Sequence, residues 1–329
     1  MSRLEELLYT KATDYTFGRL SSNATAAVPT AIEKDSGYIS VFLRSTRIVN
    51  VRKGWTKFYP VVHSYTALPR GDGGKAEFQV VTSPSRLAEL DADHLDNVII
   101  VNQRLLGPTP FRGGDLSIEL GLFSVKSSDM AKPFLGVLEE MATAAGVAFV
   151  SVAKPFTAPL KKGLDLLMGC SDLHLEVGLK TTLDKPSLGD FVVIGAKRDD
   201  MKLDQLTVAP DFKLVDVGGK AIQDHPYFIF SIEVSEIRPD WFSIPEIAVV
   251  HNELHNAVRK GKRTDAEELF NVFKRTALTC PDLLPKDAER LVRTVHEHLA
   301  TALPAELTSA TRAEIPALST IKLFGTDSK

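Results

Sequence analysis

The 329-residue chain has little cysteine, no long apolar run and no excess of positive charge. Its two cysteines, Cys170 and Cys280, are too few for a disulfide framework and fit a reducing compartment. No apolar stretch approaches the roughly 20 residues that a membrane-spanning helix needs. Glu5 and Glu6 stand where a signal peptide would have its uninterrupted apolar run. We therefore expect a cytoplasmic protein without a membrane span.

The composition also limits the class of protein. A net charge of −3 gives no general attraction to nucleic acid or to anionic membranes. Glycine occurs in short clusters at Gly71–Gly74, Gly113–Gly114 and Gly218–Gly219, but none matches a P-loop or a dinucleotide-binding fingerprint. We interpret each cluster as a turn between strands and expect no cofactor.

The spacing of apolar residues changes near Pro239. Before it, several segments alternate apolar and polar residues with period two, which is typical of half-buried strands. Alternation with one solvated face favours antiparallel sheets. Two continuous apolar runs, Asn97–Val101 and Phe191–Ile194, predict strands that are covered on both faces. The clearest alternating segments are 115–123, 172–180 and 227–235, with predicted buried sets Leu116, Ile118, Leu120 and Leu122; Leu173, Leu175, Val177 and Leu179; and Phe228, Phe230, Ile232 and Val234.

After Pro239 the apolar residues recur every three or four positions, which predicts helices at about 245–259, 264–277 and 285–301. Ser243 with Glu246, and Thr264 with Glu267, have the spacing of capping boxes. Two further helices are predicted inside the preceding part, at about 128–145 and 157–168. The helical core is expected to include Leu269, Phe270, Phe273, Leu291 and Val295.

The sequence thus predicts an α+β protein, an antiparallel β-sandwich or open barrel with helical insertions, followed by a C-terminal three-helix module. We expect an N-terminal helix (about 3–16) and linker in residues 1–37 and a β-rich body in 38–238. The helical module occupies 239–303 and the C-terminal tail 304–329.

Three short motifs could carry chemistry, and each departs from the pattern that the chemistry needs. His251 and His255 lie four apart on one helix face, but the zinc-protease pattern needs a glutamate directly after the first histidine, and no third ligand is identifiable. Cys170 precedes His174 without a cysteine-protease signature, so a buried structural cysteine is the simpler interpretation. Asp91, Asp93 and Asp96 lack the EF-hand spacing. We expect no metal and assign no catalytic residue.

A basic segment from Arg44 to Lys57 interleaves positive and aromatic side chains. Such a hairpin can hold a phosphate backbone and stack bases, although a solvated hairpin that protects a sheet edge is the simpler interpretation. The acidic overall balance argues against nucleic-acid binding. The candidate anion or nucleic-acid contacts are Arg44, Arg47, Arg52, Lys53 and Lys57.

The leading functional hypothesis is a non-enzymatic interaction, scaffold or adaptor protein that binds a protein partner through its body and helical module. Homo-oligomerisation is compatible with it. The tail is too apolar for a purely solvating segment, and its Ile321, Leu323 and Phe324 are candidate partner contacts, with docking inside the chain as the alternative. A hydrolase with a site assembled from distant residues is the second hypothesis, and the anion or nucleic-acid binder is the third.

Overall fold

The computed structural model describes residues 15–20, 31–49, 52–53, 56–69, 74–81, 98–126, 174–197 and 199–303. The fold is α+β, with antiparallel sheets followed by three helices. The chain divides into two units, Met1–Glu236 and Ile237–Lys329. The predicted helices at 128–145 and 157–168, and the tail from 304 to 329, lie outside the described residues. Among the described helices, none has both the length and the apolar character to cross a membrane.

The described residues of the first unit form mainly β-strands, with a short 3-10 helix at Leu203–Gln205. In chain order the strands are β1 Thr16–Arg19, β2 Tyr38–Arg47, β3 Arg52–Lys53, β4 Thr56–Pro69, β5 Lys75–Val81, β6 Ile99–Pro110, β7 Leu116–Lys126, β8 His174–Leu183, β9 Gly189–Ile194, β10 Leu206–Val208, β11 Leu214–Asp216 and β12 Tyr227–Ser235.

These strands form two five-stranded sheets and one two-stranded sheet, and every strand pair is antiparallel. The first sheet has the order β1-β9-β12-β2-β6, the second the order β3-β4-β7-β8 with β5 paired to β4, and β10 pairs with β11. One hydrophobic cluster draws side chains from both large sheets. In the described part of the chain the two sheets remain separate and do not close into a barrel. The antiparallel prediction is confirmed.

The period-two alternation locates the shared core correctly. Leu116, Ile118, Leu120 and Leu122 are all buried in it, because successive side chains on a strand point to opposite faces. The rings of Phe17, Phe191 and Phe230 stack in the same core, with centroids 5.2–6.3 Å apart. Along β12, Tyr227 and Ile229 face the opposite way and pack in a second cluster with residues of β10 and β11. Both faces of β12 are therefore covered, which alternation alone did not predict.

Three predictions about the first unit need correction. Residue 16 was predicted to end a helix and residue 19 to begin a linker, but Thr16–Arg19 is a strand paired with β9. The run ending at Val101 was predicted to be covered on both faces, yet Ile100 is 42% exposed. The segment from Arg44 to Lys57 is not one hairpin. Its beginning belongs to β2 in the first sheet, and its end contributes to the paired strands β3 and β4 in the second.

The helices of the second unit are α1 Pro245–Arg259, α2 Arg263–Thr279 and α3 Pro285–Ala302, close to the predicted bounds. The prediction of two capping boxes is wrong. The N-cap residues are Ile244 and Lys262, and neither makes a side-chain capping bond. Pro245 takes the first helical position, where its missing N–H costs no hydrogen bond. The Ser243 hydroxyl instead donates to the carbonyl of Asp240.

The predicted burial of the helical core is confirmed for three of its five residues, and the other two are more exposed than predicted. Phe273, Leu291 and Val295 are buried, whereas Leu269 and Phe270 are half-buried. Helix α2 packs against both α1 and α3.

Candidate functional site

Arg44, on strand β2 of the first sheet, contacts several neighbouring side chains. Its guanidinium carbon lies 4.7 Å from the centre of the Phe42 ring and 5.2 Å from that of Phe212. The guanidinium forms an ion pair with Glu233 and donates to Asn102, and its Nε donates to Ser231 Oγ at 2.9 Å. These contacts give Arg44 an internal role in joining β2, β6 and β12.

The other basic residues are divided between the two sheets. Arg47 on β2 donates from Nε to the carbonyl of Gln223 at 3.2 Å. Arg52 and Lys53 form β3, paired with Thr56 and Lys57, and the side chains of Arg52, Lys53 and Lys57 lie outside the described structure. Anion or nucleic-acid binding through these residues stays a prediction.

Several other candidate residues lie outside the described part of the chain. They are Cys170 and the acidic loop with Asp91, Asp93 and Asp96, together with Ile321, Leu323 and Phe324 of the tail. His174 is described, and it begins β8 as an exposed residue.

The second unit contains a groove between α1 and α3. Its empty volume is about 350 Å³, including space open to solvent. Each helix contributes four side chains with the spacing i, i+3, i+4, i+7, which places them on one face. They are His251, Leu254, His255 and Val258 from α1, and Val295, His298, Leu299 and Ala302 from α3. The lining residues that the structure describes include no Asp, Glu, Lys or Arg, so the groove offers an apolar surface with imidazole groups along it.

His251 belongs to the aromatic core at one side of this groove. It is only 7% exposed, and its ring lies 5.0 Å from that of Trp241 and 6.1 Å from that of Phe273. Burial, assisted by the neighbouring His255, lowers the pKa of His251 to about 4. The imidazole is therefore neutral at pH 7. The predicted helical core did not include His251, and the structure makes it part of that core.

His298 was missed as a partner of His251 and His255. His298 diverges on the helix from its near neighbour His296, so no histidine pair was predicted on α3. The available signal was the shared i, i+3, i+4, i+7 spacing on two helices, which marks faces that meet. In the described part of the chain, the ring nitrogens of His251, His255 and His298 do not come close enough together to share one ion.

The neutral state of His251 predicts a pH-dependent stability. Above pH 6.5 the imidazole is neutral in both the folded and the unfolded chain. Between pH 6.5 and about 4 the unfolded chain binds a proton that the folded chain does not. We expect the His251 contribution to lower the free energy of unfolding by about 2 kcal/mol between pH 7 and pH 5.

Urea unfolding of the wild type and of His251→Gln at both pH values measures this contribution. The pH dependence should be smaller in the variant by that amount. His296→Gln is the matched control, because His296 is exposed on α3, and it should retain the wild-type dependence. Equal pH dependence in His251→Gln and the wild type would contradict the assignment. His63 in β4, whose pKa burial also lowers to about 4, contributes equally to all three chains.

Comparison of the chain with known protein families, with curated proteins and with solved structures finds no match. The groove and the chemistry of its lining are therefore the basis for a functional proposal.

Proposed function

We propose that the protein is a non-enzymatic interaction protein, of the scaffold or adaptor kind, whose helical unit binds an apolar segment of a protein partner. The observation that carries this proposal is the groove between α1 and α3, in which two helices present matching apolar stripes. A segment whose side chains occupy successive positions along such a groove is a recurrent mode of peptide recognition.

The chemistry of the lining specifies the partner segment. Because no formally charged side chain lines the described groove, it offers no compensation for a charge that is buried on binding. The bound segment should therefore be uncharged where it enters the groove and should carry aliphatic or aromatic anchors. Each stripe covers seven residue steps of helix, or about 10 Å, which suits three or four anchors.

The tail of the chain contains a segment of this chemistry. Residues 315–321 carry no charged side chain and include Ile315, Leu318 and Ile321, and beyond Lys322 the apolar Leu323 and Phe324 follow. Helix α3 ends at Ala302 beside the groove. The tail is thus a suitable probe for the groove and, in the full chain, a competitor for the partner at high effective concentration.

Peptide binding tests the proposal. A fluorescent peptide with the sequence of residues 314–329 is titrated with the full chain and with a chain truncated after Ala313. We expect saturable binding to the truncated chain and weaker binding to the full chain, whose own tail competes. Leu299→Glu in the truncated chain should weaken binding at least tenfold, the equivalent of about 1.4 kcal/mol, because it places a charge in the groove.

The control is Val249→Glu, which makes the same kind of change on α1 at a position that is 58% exposed and outside the groove lining. It should bind the peptide as the parent chain does. Absence of peptide binding to the truncated chain would refute the proposed specificity of the groove, as would equal loss of binding in both variants.

A further inference from the structure

Three metal-ligating side chains from distant parts of the sequence meet in the second unit. Glu246 is in the first turn of α1, and Cys280 and Asp282 lie in the connection between α2 and α3. One ligand atom from each side chain lies within 4.8 Å of the other two. Cys280 and Asp282 are buried and Glu246 is half-buried. The cluster is separate from the groove, since none of its members lines it.

The spacing of the sulfur and oxygen atoms suits a tetrahedral metal. With a Zn–S bond of about 2.3 Å and a Zn–O bond of about 2.1 Å, sulfur and oxygen in a tetrahedral site lie about 3.6 Å apart. Cys280 Sγ and Glu246 Oε1 lie 3.4 Å apart, at which the thiol donates to the carboxylate. A metal ion could replace the thiol proton with little movement of either residue.

Without a metal ion, the surroundings of the sulfur keep the Cys280 thiol protonated. Burial raises the pKa of the Cys280 thiol to about 12, and the charges of Glu246 and Asp282 act in the same direction. The backbone N–H of Asp282 donates to the sulfur and acts in the opposite direction. Hydrogen bonds of this kind stabilise metal-bound thiolates, and a coordinating metal deprotonates a thiol outright.

Charge balance also favours a divalent cation. The guanidinium of Arg238 lies beside the cluster, with Nη1 3.8 Å from Asp282 Oδ1 and Nε paired with Asp240 at 3.2 Å. A thiolate and two carboxylates carry three negative charges. A divalent cation would leave one of them, which Arg238 partly balances. Burying these groups without such compensation is costly.

We propose that Glu246, Cys280 and Asp282 bind one divalent transition-metal ion of the zinc class, with a solvent molecule as the fourth ligand. The Cys280 proton passes to solvent on binding, so the affinity rises with pH. The ion links the start of α1 to the α2–α3 connection and stabilises the helical unit. This inference departs from the sequence-based expectation of no metal, which considered ligands close together in the sequence.

Cobalt substitution tests the proposal on the full-length protein. After removal of metal with a chelator, Co²⁺ is titrated and the thiolate-to-cobalt charge-transfer absorption is recorded. We expect one Co²⁺ per chain with this absorption, its displacement by Zn²⁺, and a rise in melting temperature on addition of Zn²⁺. Cys280→Ser should abolish the absorption, and Glu246→Gln should weaken Co²⁺ binding at least tenfold.

Two controls identify the ligands. Cys170→Ser should keep the absorption, which excludes the second cysteine as its source. Glu253→Gln makes the same change as Glu246→Gln at an exposed position of α1 and should leave binding unchanged. The far-ultraviolet circular dichroism of each chelated variant verifies folding. If Cys280→Ser does not fold, Glu246→Gln still tests the site, because Glu246 is only half-buried. Co²⁺ binding without the thiolate absorption, or the same Zn²⁺ stabilisation in Glu246→Gln as in the wild type, would overturn the proposal.

Discussion

Replacement of Arg238 with Met is expected to lower the free energy of unfolding of the helical unit by about 3–5 kcal/mol, the usual cost of removing one partner of a buried ion pair. The Arg238 side chain is 2% exposed, and its Nη1 donates to the carbonyl of Asp282 at 3.0 Å. Without the guanidinium, the buried Asp282 carboxylate loses its nearest cation. Urea unfolding in the presence of a chelator, followed by far-ultraviolet circular dichroism, measures the loss.

A second arginine in the helical unit provides the control. Arg263 on α2 forms an ion pair with Glu267 at 2.9 Å, and the two side chains are 47% and 57% exposed. Because both partners stay in contact with water, we expect Arg263→Met to cost less than about 1 kcal/mol. Combining Arg238→Met with Asp282→Asn should regain part of the stability, because the uncompensated charge is gone. Equal losses in the two single variants would contradict this account.

The parts of the fold that the sequence predicted are those determined by local periodicity. Leu116 to Leu122 alternate along one strand, and Phe273, Leu291 and Val295 recur at helical spacing, so burial on one face follows from neighbours a few residues away. Predictions failed where tertiary contacts decide the outcome. Pro245 starts α1 without a side-chain cap. Thr16–Arg19 forms a strand because it pairs with β9, and no local signal within Thr16–Arg19 indicates this pairing.

The candidate sites depend on contacts that one sequence does not display. His298 joins His251 and His255 across two helices, and Glu246 meets Cys280 from 34 residues away. The spacing of His251 and His255 placed them on one helix face but did not indicate His298, because a helix face shows which residues share a side and not which other element covers it. The packing of the three helices supplies that information.

Replacement of Phe273 with Ala is expected to lower the free energy of unfolding by about 3–5 kcal/mol, the range for removing a buried aromatic ring. Phe273 is fully buried. Its ring centroid lies 6.2 Å from that of Trp241, 6.1 Å from that of His251 and 6.5 Å from that of Phe270. Truncation leaves a cavity among these rings and removes an edge-to-face contact with Trp241, a tilted contact with His251 and a stacked contact with Phe270. Urea unfolding followed by far-ultraviolet circular dichroism measures the loss.

Phe242 is the matched control for Phe273, because it also packs edge-on against Trp241, at 6.0 Å, while remaining 49% exposed. Since Phe242→Ala removes a ring that still contacts water and opens no enclosed cavity, we expect a loss of less than about 1.5 kcal/mol. A loss in Phe273→Ala no larger than that in Phe242→Ala would show that Phe273 is not the centre of the helical core. The expected difference would instead place Phe273 at the centre of the core that supports the groove, since His251 contacts this core on one side and lines the groove on the other.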